Sequence, residues 1–282
     1  MKISQIIYYP IKSCQGISLT KAQITARGLS NIDDNSLCDR NFMVVDSQGK
    51  FLTQRQHPQL ATVKVKIVAN KIKLSHQHNS IEPLEFTPKE DNPQIPVQVW
   101  HDHTIAIDQG DDVAQWFQQV LSINDCRLVK QSSQHIRPIS PTYSTQNNQP
   151  VSFADGFPYL LTNTASLTEL NQRLEKKYPQ QNQQIPMIRF RPNIVIETQT
   201  PFIEDTWHTI TIGQIKFDLV KPCSRCQITT TDQNTGAKNS FQEPLTTLAS
   251  FRRIPQQGIM FGQNMIPQNH GIINITEAVN LQ

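Results

Sequence analysis

What most limits the fold of this chain is the spacing of its short apolar segments. In the first hundred residues, stretches 3–9, 41–46, 62–68, 71–75, 97–100 and 104–107 are rich in β-branched or apolar side chains. Turn formers separate them, at Ser47-Gln48-Gly49, Ala69-Asn70 and His101-Asp102-His103. Short strands this close together suggest a small barrel or a sandwich.

The period changes after residue 110. Val113, Trp116, Phe117, Val120 and Leu121 recur at i, i+3, i+4, i+7 and i+8 behind two acids, which predicts an amphipathic helix over 111–121. Residues 131–150 are rich in Ser, Gln and Asn, with Pro138 and Pro141 blocking regular structure, so a linker or an active-site loop is expected there. Ser166-Leu-Thr-Glu169 has the form of a capping box, and Leu167, Leu170 and Leu174 follow on one face up to Pro179, predicting a helix over 167–177. Strands are then expected at 193–197, 209–212, 214–220 and 227–231, a short helix at 245–251 and a last strand at 272–275. The expected class is mainly β with covering helices, a β-rich α+β chain. Two domains, 1–122 and 136–282, are expected around a linker at 123–135.

Composition narrows the function. The 282 residues carry a net charge of +3, too mild for the concentrated basic face of a nucleic-acid binder. No run approaches the roughly 18 apolar residues of a membrane span, and the Met-Lys-Ile-Ser-Gln start lacks the pattern of a secretory signal. Glutamine is about one residue in eight, but it is scattered through patterned segments and reads as solvated surface. Cys14, Cys38, Cys126, Cys223 and Cys226 are odd in number and mostly isolated, which fits a reducing compartment. A cytoplasmic protein is expected.

The sharpest local feature is Lys221-Pro222-Cys223-Ser224-Arg225-Cys226. A thioredoxin-type redox pair needs its cysteines to open a helix, whereas Gln227-Ile-Thr-Thr-Thr reads as strand. Structural zinc needs four ligands, and neither a second cysteine pair nor a finger-spaced histidine pair is present. Two buried cysteines between strands is the bland alternative. Arg225 beside Cys226 favours a thiolate, a soft metal ligand; one thiolate suffices for a metal only if a cofactor brings the other ligands.

Further cations sit in short polar–apolar motifs: Tyr9-Pro10-Ile11-Lys12-Ser13-Cys14-Gln15-Gly16, Cys38-Asp39-Arg40-Asn41-Phe42, Leu52-Thr53-Gln54-Arg55 and Arg189-Phe190-Arg191-Pro192-Asn193-Ile194. A single surface cation ordinarily carries no function. Arg191 stands out because it leads straight into an apolar strand, where an unpaired guanidinium is costly to desolvate. Lys12 with Ser13 and Gly16 suits a phosphate, through a point charge, a hydroxyl and nearby amides.

In order along the chain, these motifs resemble the MOSC family, and most closely its amidoxime-reducing subgroup with its bacterial relatives. The resemblance also takes in Leu160-Leu161-Thr162-Asn163-Thr164-Ala165-Ser166-Leu167, Thr229-Thr230-x-Asp232 with Thr235-Gly236, and Phe261-Gly262-Gln263-Asn264. It implies an N-terminal β-barrel domain followed by a β-barrel-like MOSC domain, with molybdenum cofactor (Mo-molybdopterin) bound between them. Cys226, and not Cys223, would be the protein ligand to molybdenum. Lys12, Ser13, Arg40, Arg191, Asn193, Ser224 and Arg225 would hold the pyranopterin and its phosphate, with Thr53, Arg55 and Asn264 matching neighbouring family segments. Asp155, in Ala154-Asp155-Gly156-Phe157-Pro158, is the expected proton donor; an ordinary Asp-Gly turn is its plain alternative.

The implied activity is reduction of N-hydroxylated compounds (amidoximes, hydroxylamines, hydroxylated nucleobases), a detoxification. Electrons would come from a separate flavin, haem or iron–sulfur donor protein. Neither an iron–sulfur cluster nor pyridoxal phosphate is expected in this chain, nor is a nucleic-acid or membrane partner, and a monomer is expected. Two other readings stand beside it: a non-catalytic carrier of molybdenum cofactor or of a persulfide on Cys226, and a thiol redox module using Cys223 and Cys226. The sequence departs from the family near its end, where Gly271-Ile-Ile-Asn-Ile-Thr276-Glu277 replaces a Gly-Asp turn.

Overall fold

The computed structural model describes residues 1–32, 37–77, 81–135, 137–144 and 149–281. Strands dominate it, with three α-helices, α1 (Asp111–Leu121), α2 (Thr164–Lys177) and α3 (Leu245–Arg252), among the described residues. The fold is a β-rich α+β one, as the strand spacing implies. Among the described residues, no helix is long and apolar enough to cross a membrane.

The largest sheet is nine-stranded, and its order mixes the two ends of the chain. Ile17–Leu19 pairs with Lys2–Tyr8, which pairs with Ile194–Glu197, then Tyr159–Asn163, Gly258–Pro267, Ile215–Arg225, Thr209–Ile212 and Val279–Leu281. Arg253–Ile254 adds to the edge of Gly258–Pro267. Within this sheet only Tyr159–Asn163 and Ile194–Glu197 run parallel, and the crossover between them contains α2, as a parallel connection requires. Lys21–Thr25 pairs likewise with Gly271–Asn274 near the end of the chain. A separate four-stranded sheet joins Phe42–Val45, Arg127–Gln131, Asp102–Asp108 and Gln94–Val99, with the apolar face of α1 (Trp116, Phe117, Val120) packed into the neighbouring core. Turns carrying Lys12, Arg40 and Arg55 therefore meet the strands of the second half.

Four expectations need correction. The stretch expected as a linker, 123–135, contains the strand Arg127–Gln131, paired on both edges with Asp102–Asp108 and Phe42–Val45. The helix expected over 167–177 starts at Thr164, and its cap is Asn163, whose side chain accepts from the Ala165 amide at 2.9 Å. Ser166 instead donates to the buried Glu204 carboxylate at 3.1 Å and accepts from the Phe202 amide, because a fully buried carboxylate must be supplied with donors. Residues 227–231 do not form a strand: Gln227–Thr230 is one 3₁₀ turn. The hydroxyls of Thr229 and Thr230 donate back to the carbonyls of Cys226 and Gln227 at 2.9 and 2.8 Å, the local alternative that lets threonine leave a strand. The strand expected to end at 220 runs on to Arg225, because Pro222 sits at a register shift between Pro222 and Ser224, where a missing amide is tolerated.

The ten-residue strand Gly258–Pro267 is absent from the sequence expectations. Its glycines hide it, yet Gly262 is what lets it pass: φ is +81°, and a Cβ there would lie 2.5 Å from the Leu161 carbonyl oxygen. On either side, Phe261 stacks on Phe190 at 3.8 Å and Asn264 faces Lys221. Gly262→Ala is expected to destabilise the protein by about 1–3 kcal/mol, lowering the melting temperature by several degrees; an unchanged melting curve contradicts this strand geometry.

Candidate functional site

The twelve residues that the family resemblance assigns to the site line one cleft, between the turns of the first hundred residues and the strand ends of the second half, whereas Gly16 does not line it. Counted with the solvent space of its open mouth, it spans about 850 Å³. Five cations face it, Lys12, Arg40, Arg55, Arg191 and Arg225, against one carboxylate, Asp155.

Lys12 is almost fully buried. Its ammonium donates to the Phe153 carbonyl at 2.8 Å and to Asp155 Oδ1 at 2.5 Å; burial lowers its pKa and Asp155 opposes that. Asp155 keeps 66% of its side chain exposed. Burial pushes its carboxyl up, but the Lys12 ammonium, the hydrogen bond from it and the Trp100 indole N–H outweigh burial and hold it well below the usual carboxylate range. Asp155 is therefore a carboxylate at neutral pH.

Arg40 and Arg191 lie on Tyr9, their guanidinium carbons 4.3 and 4.4 Å from its ring centroid. Arg40 is ion-paired to the buried Asp39, which also accepts from the Tyr9 amide at 2.8 Å. It donates further to Asn193 Oδ1 and to the Arg191 carbonyl at 3.2 and 3.0 Å. Asn193 also accepts from the Leu160 amide and donates to the Ile7 carbonyl, so its amide serves to bracket Arg40. Burial, with the neighbouring Arg40 charge, brings Arg191 down to about 10, still charged at neutral pH. Its Nη1 donates to the Cys14 carbonyl at 2.7 Å and to Gln233.

Gln54 and Gln233 exchange amide hydrogen bonds of 3.1 and 3.0 Å, and Gln54 also donates to the Ser13 carbonyl at 2.6 Å. This buried pair ties Ser13 to Arg191. The Thr53 hydroxyl is used within its own turn, with Gln56 and the Arg55 amide, and so positions Arg55. Asn264 donates to the Lys221 carbonyl at 3.2 Å.

The cysteine motif alternates as a strand does. Cys223 and Arg225 are half-buried, whereas Ser224 and Cys226 are exposed. Arg225 donates to Cys223 Sγ at 2.8 Å and to the Phe190 carbonyl at 2.6 Å. The sequence expectation that Arg225 acts on the adjacent Cys226 is thus corrected: neighbours in an extended chain point apart, and the guanidinium meets the sulfur two residues back. Cys226 is the open one of the pair, ahead of the 3₁₀ turn.

Whether this cleft fits an anionic cofactor is tested by its unpaired donors. Arg55, Arg191 and Arg225 have no carboxylate partner among the described residues, and Arg191 Nη2 and Arg225 Nε are buried without any acceptor. A buried unmatched guanidinium nitrogen is expensive, and a phosphate is the acceptor that suits it. Ser13, Arg40, Trp100 and Arg191 all have φ between +52° and +70°, conformations costing about 1 kcal/mol or more each, and all four face the cleft. The residues present fit a phosphate-bearing anion.

Among the remaining walls, Phe157 and Phe190 lie within quoted motifs and Phe51 abuts one, whereas Trp100 belongs to none. Trp100 emerges only from its geometry.

Comparison with known proteins gives the family of the chain. The MOSC N-terminal beta barrel domain matches residues 1–124 and the MOSC domain residues 148–280. "Mitochondrial amidoxime-reducing component 1" of Mus musculus is 34% identical over 99% of this chain and 82% of its own length. The Homo sapiens protein of that name is 32% identical over the same shares. "Molybdenum cofactor sulfurase 3" of Aedes aegypti is 31% identical over 88% of this chain but only 32% of its own length. This chain, with its cationic cleft between two β-rich halves, belongs to the MOSC family.

Proposed function

We propose that the protein is a molybdenum-cofactor-dependent reductase of N-hydroxylated compounds, drawing electrons from a separate donor protein. The observation that carries this reading is the convergence of partnerless guanidinium donors and an exposed cysteine on one cleft. Similarity to amidoxime-reducing components over nearly the whole chain supports it.

In the reaction, an amidoxime with two electrons and two protons gives an amidine and water: the N–O bond breaks and its oxygen leaves as water. When bound, the cofactor supplies two-electron redox chemistry and an acceptor for that oxygen. The chain does the rest. Arg191 and Arg225 offer unmatched donors to a phosphate, Lys12 and Arg40 add charge, and Cys226 presents the exposed sulfur that would bind the metal. Ser13, Ser224 and Asn264 complete the polar wall, while Asn193 and Thr53 act through Arg40 and Arg55. Asp155, ionised beside Lys12, is better suited to hold that ammonium over the cleft than to give up a proton, and solvent reaches the open mouth.

Cys226→Ala is expected to abolish N-reduction and Cys223→Ala to leave much of it; equal loss in both contradicts the ligand assignment. Asp155→Asn is expected to slow benzamidoxime turnover less than about tenfold, with an unaltered acid limb in the pH profile. A loss of about 10²-fold or more restores the proton-donor role. The reading as a whole is tested on protein from a cofactor-competent host, by metal analysis and by turnover with an artificial reductant. Near-stoichiometric molybdenum with turnover is expected. Molybdenum without turnover of any N-hydroxylated compound marks a carrier, the reading that similarity to a sulfurase favours, and protein without molybdenum overturns both.

A further inference from the structure

One wall of the cleft is built on an aromatic ring. Trp100, in the tight turn between Gln94–Val99 and Asp102–Asp108, keeps 40% of its surface exposed and has φ +58°. A bulky aromatic in the left-handed region is a genuine outlier. Nor is it an idle one, because three contacts hold the ring in place. Its indole N–H donates to Asp155 Oδ1 at 3.0 Å. The Arg55 guanidinium lies over the ring, 4.4 Å from its centroid. Phe51 packs against it at 5.2 Å and 59°. The other two tryptophans, Trp116 and Trp207, are buried, so exposure here is particular to this site.

The arrangement amounts to a flat platform. An indole carries a flat guanidinium, and both stand at the cleft that holds Cys226. Strain held in place at a binding surface is characteristic of a ligand-contacting residue. Indole and guanidinium planes both favour stacking against another planar π system. An aliphatic group of the same polarity has nothing to stack. The carboxylate that anchors the indole is the one that holds Lys12, so the platform and the cationic wall keep a fixed relation.

We infer that Trp100, with Arg55 stacked on it, is a specificity platform that selects planar aromatic N-hydroxylated substrates over aliphatic ones. The inference rests on the reductase reading but makes its own claim, about the ring of the substrate and not its N–O bond.

The test uses two neutral ligands that share the amidoxime group and differ in the ring, benzamidoxime and acetamidoxime. Binding of each to the purified protein without reductant is followed by calorimetry, and kcat and KM are measured with an artificial reductant. Wild type is expected to bind benzamidoxime about tenfold more tightly than acetamidoxime. Trp100→Ala is expected to bring that ratio close to one, chiefly through KM, and Trp100→Phe to restore most of it. An unchanged ratio in folded Trp100→Ala, or equal binding of the two ligands by wild type, overturns the platform. If wild type turns over neither compound but keeps the binding ratio, the reductase reading fails while the platform stands.

Discussion

The structure depends on how like charges are held together. Arg40 and Arg191 meet on the ring of Tyr9, an arrangement that repels itself unless each charge is answered locally. Arg40 is answered by the buried Asp39, Arg191 by the Cys14 carbonyl and both by the π faces of one tyrosine. Arg225 repeats the solution with the Phe190 carbonyl and ring. Lys12 does so with the Phe153 carbonyl, Asp155 and Phe51. Carbonyls and rings orient a cation without neutralising it, so the cleft keeps its positive field and its unmatched N–H groups. An incoming phosphate meets donors whose desolvation has already been met by the fold.

The sheet order makes this possible. Tyr9 follows a strand paired to the one that Arg191 and Asn193 lead into, so cations about 150 residues apart in sequence become neighbours. Asn193 then brackets both sides, its Oδ1 accepting from Arg40 and its Nδ2 donating to the Ile7 carbonyl. Gln54 and Gln233 do the same across the floor. The backbone that carries these cations is itself left-handed at Ser13, Arg40 and Arg191, conformations that the surrounding structure must hold in place.

Much of this was legible in the sequence. Period-3.6 spacing placed α1 at its observed bounds, and local β-branching placed Thr209–Ile212. The cleft residues were legible because each lies in a short motif of the family pattern, although the partners that hold Lys12, Arg40 and Arg191 lie far away in the chain. What failed was whatever depended on distant partners. Ser166 has the form of a cap until Glu204, 38 residues on, claims its hydroxyl. Gly258–Pro267 reads as broken until its Gly262 is seen passing the Leu161 carbonyl. Arg225 is next to Cys226 in sequence, but extended geometry gives it to Cys223. Trp100 had no motif at all, and only its strained backbone and exposure reveal it.

The central claim is that the cationic cleft holds a molybdenum-bearing anion beside Cys226. Anomalous diffraction at the molybdenum edge, from crystals of protein produced in a cofactor-competent host, tests it most directly. The account predicts a single anomalous peak in the cleft next to Cys226 Sγ, with phosphate density against Arg191 and Arg225. A peak on Cys223, or one outside the cleft, would contradict it.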